Sequence, residues 1–437
     1  MKKRKIAKII IIFALAVMLA IPMLAAAFVL WWLHDAPRDF SADVVFIVET
    51  VEDVHPIFIM EGLLPYYYDQ RRTEFLAAAA RPMTREDFSL EMMRYFATLR
   101  DGHMMGGFHA RQFGNMHLPL IPAPILNVDF IAADSRLFLA DAPYIEVLEI
   151  GGIITADVLH QIDRYFFSEN ESDTRFNHGF YVRNQALLQR AGVHAYPRFW
   201  NTYVDLTISD DGEISTMPIR FSYDWVISQI IASNYIVRYE MMDDVMYIRL
   251  RTFVDGNDVA ETAKAIQQAR ANGTRNFIVD LRGNGGGNSA AGQRLLRAMG
   301  MILPSFGVMR RTSDLAMEQR GAFTAIAQPN TTSQNLQNAF VVVLTDIYTY
   351  SSATMMASWV QDGGLGTVVG EPSRNSPSSF GDMLVATLPD SGLSFAISYS
   401  KLLRPDANAD QSTLWPDIMV PAEDALEAAL EFLQNME

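Results

Sequence analysis

The chain has 437 residues, half of them hydrophobic and 11% aromatic, with a formal net charge of −15 and no cysteine. That is core material for two or three domains and excludes wholesale disorder. The missing cysteine excludes disulfides, thiolate metal sites, a cysteine nucleophile and a lipid-modified N-terminal cysteine.

Lys2, Lys3, Arg4, Lys5 and Lys8 supply five positive charges, so the total of −15 leaves −20 for the rest. An acidic body argues against nucleic-acid binding, which needs clustered Lys and Arg. Ile9 to Leu33 then run 25 residues without a charge. As a helix, that stretch spans a hydrocarbon core of about 30 Å. The cations predict a cytoplasmic tip and Trp31 and Trp32 an interfacial belt, so residues 1–36 read as a signal-anchor with the body outside the cytoplasm. A cleaved signal peptide ending near Ala25–Ala27 is the alternative, and its apolar region is usually shorter.

Residues 37–117 read as a helical domain. Apolar residues recur at three- and four-residue spacing through VVFIVETVEDVHPIF, TEFLAAAA and FSLEMMRYFATLR. Thr84, with Asp87 three positions on, is the expected cap of the third helix. The segment DGHMMGG is a glycine-punctuated turn. Residues 118–223 read as a small α+β domain, with short strand-like runs around one helix in ITADVLHQIDRYFF. Residues 224–437 become α/β. Apolar strands VMYIRL, NFIVDL and FVVVLTD alternate with helices, which predicts a right-handed parallel crossover. TVVGEP, LVATL and LSFAISY add strands, and AEDALEAALEFLQ closes the chain as a helix.

Two loops at the carboxyl ends of strands open helices, the place where α/β sheets gather their sites. One is Gly283–Gly287 and the other Thr349–Ser352. Ser351 stands where a hydroxyl meets free amides and the positive end of a helix, which suits a nucleophile. Ser351 or Ser352 can equally be an ordinary N-cap. The loop RGNGGGN is neither a Walker A nor a complete GxGxxG motif. It remains an anion-binding nest or a plain tight turn. No histidine follows Ser351, so a histidine base must come from the N-terminal half. His103, in LRDGHMMGG, is the candidate, against the ordinary reading of a surface or core histidine.

Together, IVDLRGNGGG, TYSSAT and VVGEP resemble the C-terminal processing (tail-specific) proteases and their tricorn-core relatives, over about 243–420. The resemblance implies a ClpP/crotonase-like core, a mixed sheet with flanking helices, and a PDZ-like module in 118–223. It implies Ser351 as nucleophile, the amides of Gly286 and Ser352 as oxyanion hole, and Asp280 and Arg282 as loop scaffold. It implies a polypeptide substrate and neither metal nor cofactor. Ser376 occupies the lysine position of the family's Ser–Lys dyad, and Thr354 replaces a Glu. Lys401 does not match the pattern. The tricorn-like branch instead uses a histidine in an Asp-Gly-His turn, here His103. Its acid lies before the closing Pro-Asp, here Asp410, with Asp406 the neighbour. A non-catalytic binder at the cell surface, or a hydrolase of other esters or amides, would use the same scaffold.

Overall fold

The computed structural model describes residues 36–60, 62–104, 124–222, 236–321 and 324–436, and the backbone of 105–108. The expected membrane segment Ile9–Leu33 lies outside the described residues. Among the described residues, no helix is long and apolar enough to cross a membrane.

The first unit holds helices α1 (Ser41–Val54), α2 (Tyr68–Ala78) and α3 (Arg85–Phe96), then strand β1 (Met105–Phe108). Thr84 caps α3 as the sequence predicts. Its Oγ1 accepts the Asp87 N–H at 3.1 Å and donates to Asp87 Oδ2 at 2.9 Å. Val44, Ile47, Val48, Val51 and Val54 form the buried stripe of α1, with the i, i+3, i+4, i+7 spacing of a one-sided helix.

The second unit is a sheet built from β2 (Ile125–Leu126), β3 (Phe130–Ala133), β4 (Arg136–Leu139), β5 (Ala142–Ile150), β6 (Asn201–Asp210) and β7 (Glu213–Ser222), in spatial order β2-β7-β6-β5-β4-β3. The predicted helix appears as α4 (Thr155–Ile162). Two further helices, α5 (Glu171–Tyr181) and α6 (Gln185–Arg190), were not legible in the sequence. The segment ESDTRFNHGFY is polar and aromatic, and it lacks the aliphatic spacing that signals a helix.

The third unit contains β8 (Val237–Met242), β9 (Val245–Leu250), α7 (Asn257–Ala271), β10 (Asn276–Asp280), α8 (Ala290–Ala298), β11 (Gly307–Arg310), α9 (Asp314–Arg320), β12 (Ala325–Ala327), β13 (Phe340–Thr345), α10 (Ser352–Asp362), β14 (Thr367–Gly370), β15 (Phe380–Thr387), β16 (Ser394–Leu403), β17 (Ile418–Met419) and α11 (Ala425–Gln434). Its six-stranded sheet runs β8-β9-β10-β13-β14-β17, all parallel except the β8–β9 hairpin. Alternate residues bury on opposite faces. Met246, Ile248, Phe277, Val279, Val341 and Val343 pack under α7, α8 and α10. Tyr247, Ile278, Val342, Leu344 and Val369 pack against α11. Both faces are covered, which explains the unbroken apolar run of FVVVLT.

A second sheet joins β1, β16, β11 and β12, with β15 paired to β16. The first unit has no core of its own. Val44, Ile47, Phe88 and Phe96 share one apolar cluster with Leu384, Phe395 and Ile397 of this sheet. Asp43, fully buried on α1, accepts the N–H groups of Asp390 and Ser391 at the β15–β16 turn. This welding fixes the chain just before His103 against the third unit.

Candidate active site

Strand β13 ends at Thr345, and the chain turns through 346–350 into α10. Asp346 builds the turn. Its carboxylate accepts the N–H groups of Gly283 (2.9 Å) and Tyr348 (2.9 Å) and the Thr349 hydroxyl (3.1 Å). Burial pushes the Asp346 carboxyl above its ordinary range.

Ser351 sits at the end of that turn with φ 53° and ψ −121°. A non-glycine residue there is strained, on the order of 1–3 kcal/mol, and is held only by its surroundings. The clamp is visible: the Ser351 N–H donates to Asn375 Oδ1 at 2.9 Å, and the Tyr350 N–H to the Asn284 carbonyl at 3.0 Å. The capping role open to Ser351 and Ser352 is not realised. Ser351 makes no side-chain cap, and the Ser352 hydroxyl donates to the Gly287 carbonyl at 2.6 Å. Among the described residues, the Ser352 amide has no acceptor, as expected for the first residue of a helix.

The glycine loop lies against this serine. A Cβ on Gly286 would stand 2.7 Å from Ser351 Cβ and 2.9 Å from the Ser352 nitrogen, and Gly286 has φ +96°. Close approach and backbone conformation both demand glycine there. The Gly286 amide donates to Asn284 Oδ1 at 2.8 Å, so that donor is committed inside the loop. Asp280 anchors the strand end. It accepts from the Tyr247 hydroxyl, Arg249 Nη1 and the Arg282 backbone and guanidinium, at 2.6–3.0 Å. Burial alone would raise the Asp280 carboxyl; Arg282, Tyr247 and Arg249 outweigh it and hold the group below its ordinary range.

His103 arrives from the Asp-Gly-His turn. Its N–H donates to Asp101 Oδ1 at 2.8 Å, and its Nδ1 lies 3.7 Å from the same oxygen. The ring is buried, and among the described residues neither nitrogen has a hydrogen-bond partner. Behind it, Asp101 Oδ2 pairs with His55 Nε2 at 3.2 Å. Because His55 Nδ1 accepts the Ile57 N–H, its Nε2 carries the proton and donates to Asp101. Burial alone would depress the His103 imidazole; Asp101 above all, with Glu169 behind it, holds it above the ordinary 6.5. Burial alone would raise Asp101; the two imidazoles outweigh it and hold that carboxyl far below its usual range.

Glu169, from the loop before α5, comes in beside this pair. Its Oε1 accepts the Gly102 N–H and the Tyr350 hydroxyl, each at 3.3 Å, and its Oε2 accepts Asn375 Nδ2 and the Ser376 N–H, each at 2.7 Å. Asn375 thus joins Glu169 to the Ser351 amide, and the Tyr350 ring lies 4.9 Å from the His103 ring. The fold therefore sets Gly286 against Ser351 and Ser352, and His103 against Tyr350, the chain neighbour of Ser351. Ligand atoms of Asp101, His103 and Glu169 lie within 4.8 Å of one another, a donor set for a divalent cation whose two carboxylates are already hydrogen-bonded.

Asp410 keeps its carboxylate bonded within its own loop. It is exposed on the 404–417 loop, its Oδ1 taken by the Ser412 and Thr413 amides and its Oδ2 by the Trp415 indole. The Ser412 hydroxyl, which donates to Oδ1 at 2.7 Å, and these bonds after it hold its carboxyl down, to about 2. Asp406 accepts the Asn408 N–H in the same loop. The carboxylates actually beside His103 are Asp101 and Glu169. Asp101 was legible in the Asp-Gly-His turn itself. Glu169 was not, because nothing local couples it to residue 103. Thr354 is buried, its hydroxyl 3.4 Å from the Thr349 carbonyl. Lys401 is engaged by the Ser378 carbonyl at 3.0 Å and lies over the Phe380 ring.

A strained serine beside a glycine loop, with a buried histidine packed on the residue before it, is the arrangement that the sequence comparisons bear on. Residues 244–420 match peptidase family S41. Over this core the chain is similar to that family. Two carboxyl-terminal-processing proteases are similar to it: one from Picosynechococcus sp. (29% identity over 197 residues, 42% of each chain) and one from Synechocystis sp. (28% over 254 residues, 53% of this chain and 54% of the relative). The chain thus spans about half the length of these curated relatives. The crystal structure of mature CPAF shares the fold at 13% identity, with a TM-score of 0.60 over 91% of this chain and 95% of that one.

Proposed function

We propose that this chain is an S41 serine peptidase acting through Ser351. The observation that carries the reading is the Ser351 conformation: a strained residue, held by Asn375, with its hydroxyl spent on no cap, at the mouth of α10 and against Gly286. Strained backbone of this kind clusters at functional sites.

In this mechanism the Ser351 Oγ attacks a peptide carbonyl carbon while a His103 ring nitrogen takes its proton. The tetrahedral oxyanion forms beside the Ser352 amide, with the Gly286 amide joining once it releases Asn284. Collapse expels the amine, which takes the proton back from His103, and water then hydrolyses the acyl-enzyme by the same route. Each donor to the oxyanion contributes on the order of 3–4 kcal/mol. Asp101 and Glu169 stabilise the imidazolium that forms. Asp410 would take that part only by giving up its Ser412, Thr413 and Trp415 bonds.

The carboxyl-terminal-processing relatives suggest polypeptide as substrate. The uncharged Ile9–Leu33 stretch behind five cations supports a membrane anchor with the site outside the cytoplasm. The succession of long strand β5, a tight turn and α4 supports a modified PDZ-like module in 118–223. A fluorophosphonate probe on the domain from residue 38 is the test. Wild type is expected to label, and Ser351→Ala and His103→Ala to fail while remaining folded. A folded wild type that does not label would favour the non-catalytic binder.

A further inference from the structure

A cavity of about 210 Å³ opens at His103. It is below the roughly 300–1,000 Å³ of sites for whole small molecules, and is on the scale of one large side chain. Its walls include Met93 and Phe96 from α3, the 101–104 turn, the 165–167 segment and α5. Helix α5 presents Asp173, Phe176, Asn177 and Phe180 to it, the i, i+3, i+4, i+7 face of that helix. Tyr350, the neighbour of Ser351, closes the site side.

The rings form a fixed surface: Phe176 stacks on Phe180 at 5.6 Å and Phe166 on Tyr181 at 4.7 Å. The charged groups in the wall answer one another: Arg374 faces Asp173, and Asp101 lies between His55 and His103. The Arg374 guanidinium lies 3.7 Å from the Phe176 ring centroid and 4.3 Å from that of Tyr350, and its Nε is 3.6 Å from Asp173 Oδ1. Asp173 also accepts the Glu169 N–H at 3.0 Å. A charged guest would bring one uncompensated charge into this wall, which costs far more than an apolar guest of the same size. The histidine that forms one wall is the group proposed to exchange the proton with Ser351. Whatever fills the cavity therefore belongs to a residue flanking the bond being cut.

Resting on the peptidase reading, we infer that this cavity is a specificity pocket for a large neutral side chain, aromatic or long aliphatic, on a residue flanking the scissile bond. The substrate class is polypeptide segments carrying Phe, Tyr, Leu or Met at that place.

The test uses the protein from residue 38 and a set of quenched fluorescent decapeptides. Phe, Leu, Ala, Asp and Lys are placed in turn at each of the four positions around a central bond. Fluorophosphonate labelling runs in parallel. Wild type is expected to cut the Phe and Leu peptides at least about tenfold faster in kcat/KM than Ala, Asp or Lys at one position, the discrimination an apolar pocket gives. Ala97, half-buried in the cavity wall, provides the second arm. Ala97→Phe fills the space and should erase that preference while labelling persists. Labelling with equal cutting of all residues overturns the pocket and leaves the peptidase reading. So does a preference that survives Ala97→Phe. Labelling without cutting any peptide overturns both, and a folded wild type that does not label removes the reading on which the pocket rests.

Discussion

Asp101→Asn removes one charge and one acceptor from the place where His103 is held. The Asn side chain keeps one oxygen, which can still take the His103 N–H as Asp101 Oδ1 does. Its amide nitrogen then points at His55 Nε2, which is itself a donor because Nδ1 accepts from Ile57. Two donors face each other in a fully buried site, at a cost of about 1–3 kcal/mol. The larger consequence is electrostatic. In the wild type, burial pulls the His103 imidazole down and Asp101 more than restores it, above 6.5. A base must be neutral to accept a proton, so wild-type reactivity of Ser351 should climb with pH through a limb above 6.5. Without the Asp101 charge, burial wins, and the limb moves to lower pH. The plateau falls as well, because the ring loses its anchor, by about 10²–10⁴ if base catalysis is largely lost. Second-order rates of fluorophosphonate labelling from pH 5 to 10, with melting curves at each pH, read both effects. A limb that stays in place or moves up would refute the assignment of Asp101 as the carboxylate that sets His103.

Ser351→Gly should stabilise the fold by about 1 kcal/mol, since glycine accepts φ 53° without strain, while abolishing labelling; thermal melts and labelling check the two effects together. Gly286→Ala should suppress labelling strongly in a protein that still folds, because the new methyl would stand 2.7 Å from Ser351 Cβ. Glu169→Gln places an amide donor against Asn375 Nδ2 and the Ser376 N–H, so labelling should fall at least about tenfold on the general-base scale. Asp410→Ala should change labelling less than about threefold, below the general-base scale, since its carboxylate serves its own loop; a loss matching that of His103→Ala would instead make Asp410 the acid of the site.

Much of the core was open to reading because local signals were strong. Buried parallel strands such as FVVVLT announce themselves by unbroken apolar runs, and the Thr84 cap and the Asp-Gly-His turn are local devices whose partners lie within three residues. What could not be read were contacts between remote segments. Helix α5 is a polar and aromatic helix whose reason for existing is the cavity it faces, and Glu169 reaches the site only because the second unit docks beside the turn at Gly102. The first unit looked like a domain of its own from its helices. Its apolar stripe instead closes on β15 and β16, some three hundred residues later in the sequence. Asp410 lies in a motif that suggests a site, while its carboxylate is bonded within its own loop.

Asn375 has a consequence for timing. It is the single side chain that grips both the Ser351 amide and Glu169, while His103 stands 248 residues before Ser351. Contacts across such spans form late, after long loops have closed. During synthesis or passage across a membrane, the serine would exist long before its strained turn could be clamped or its partner histidine placed. Reactivity at Ser351 would then report completion of the whole fold.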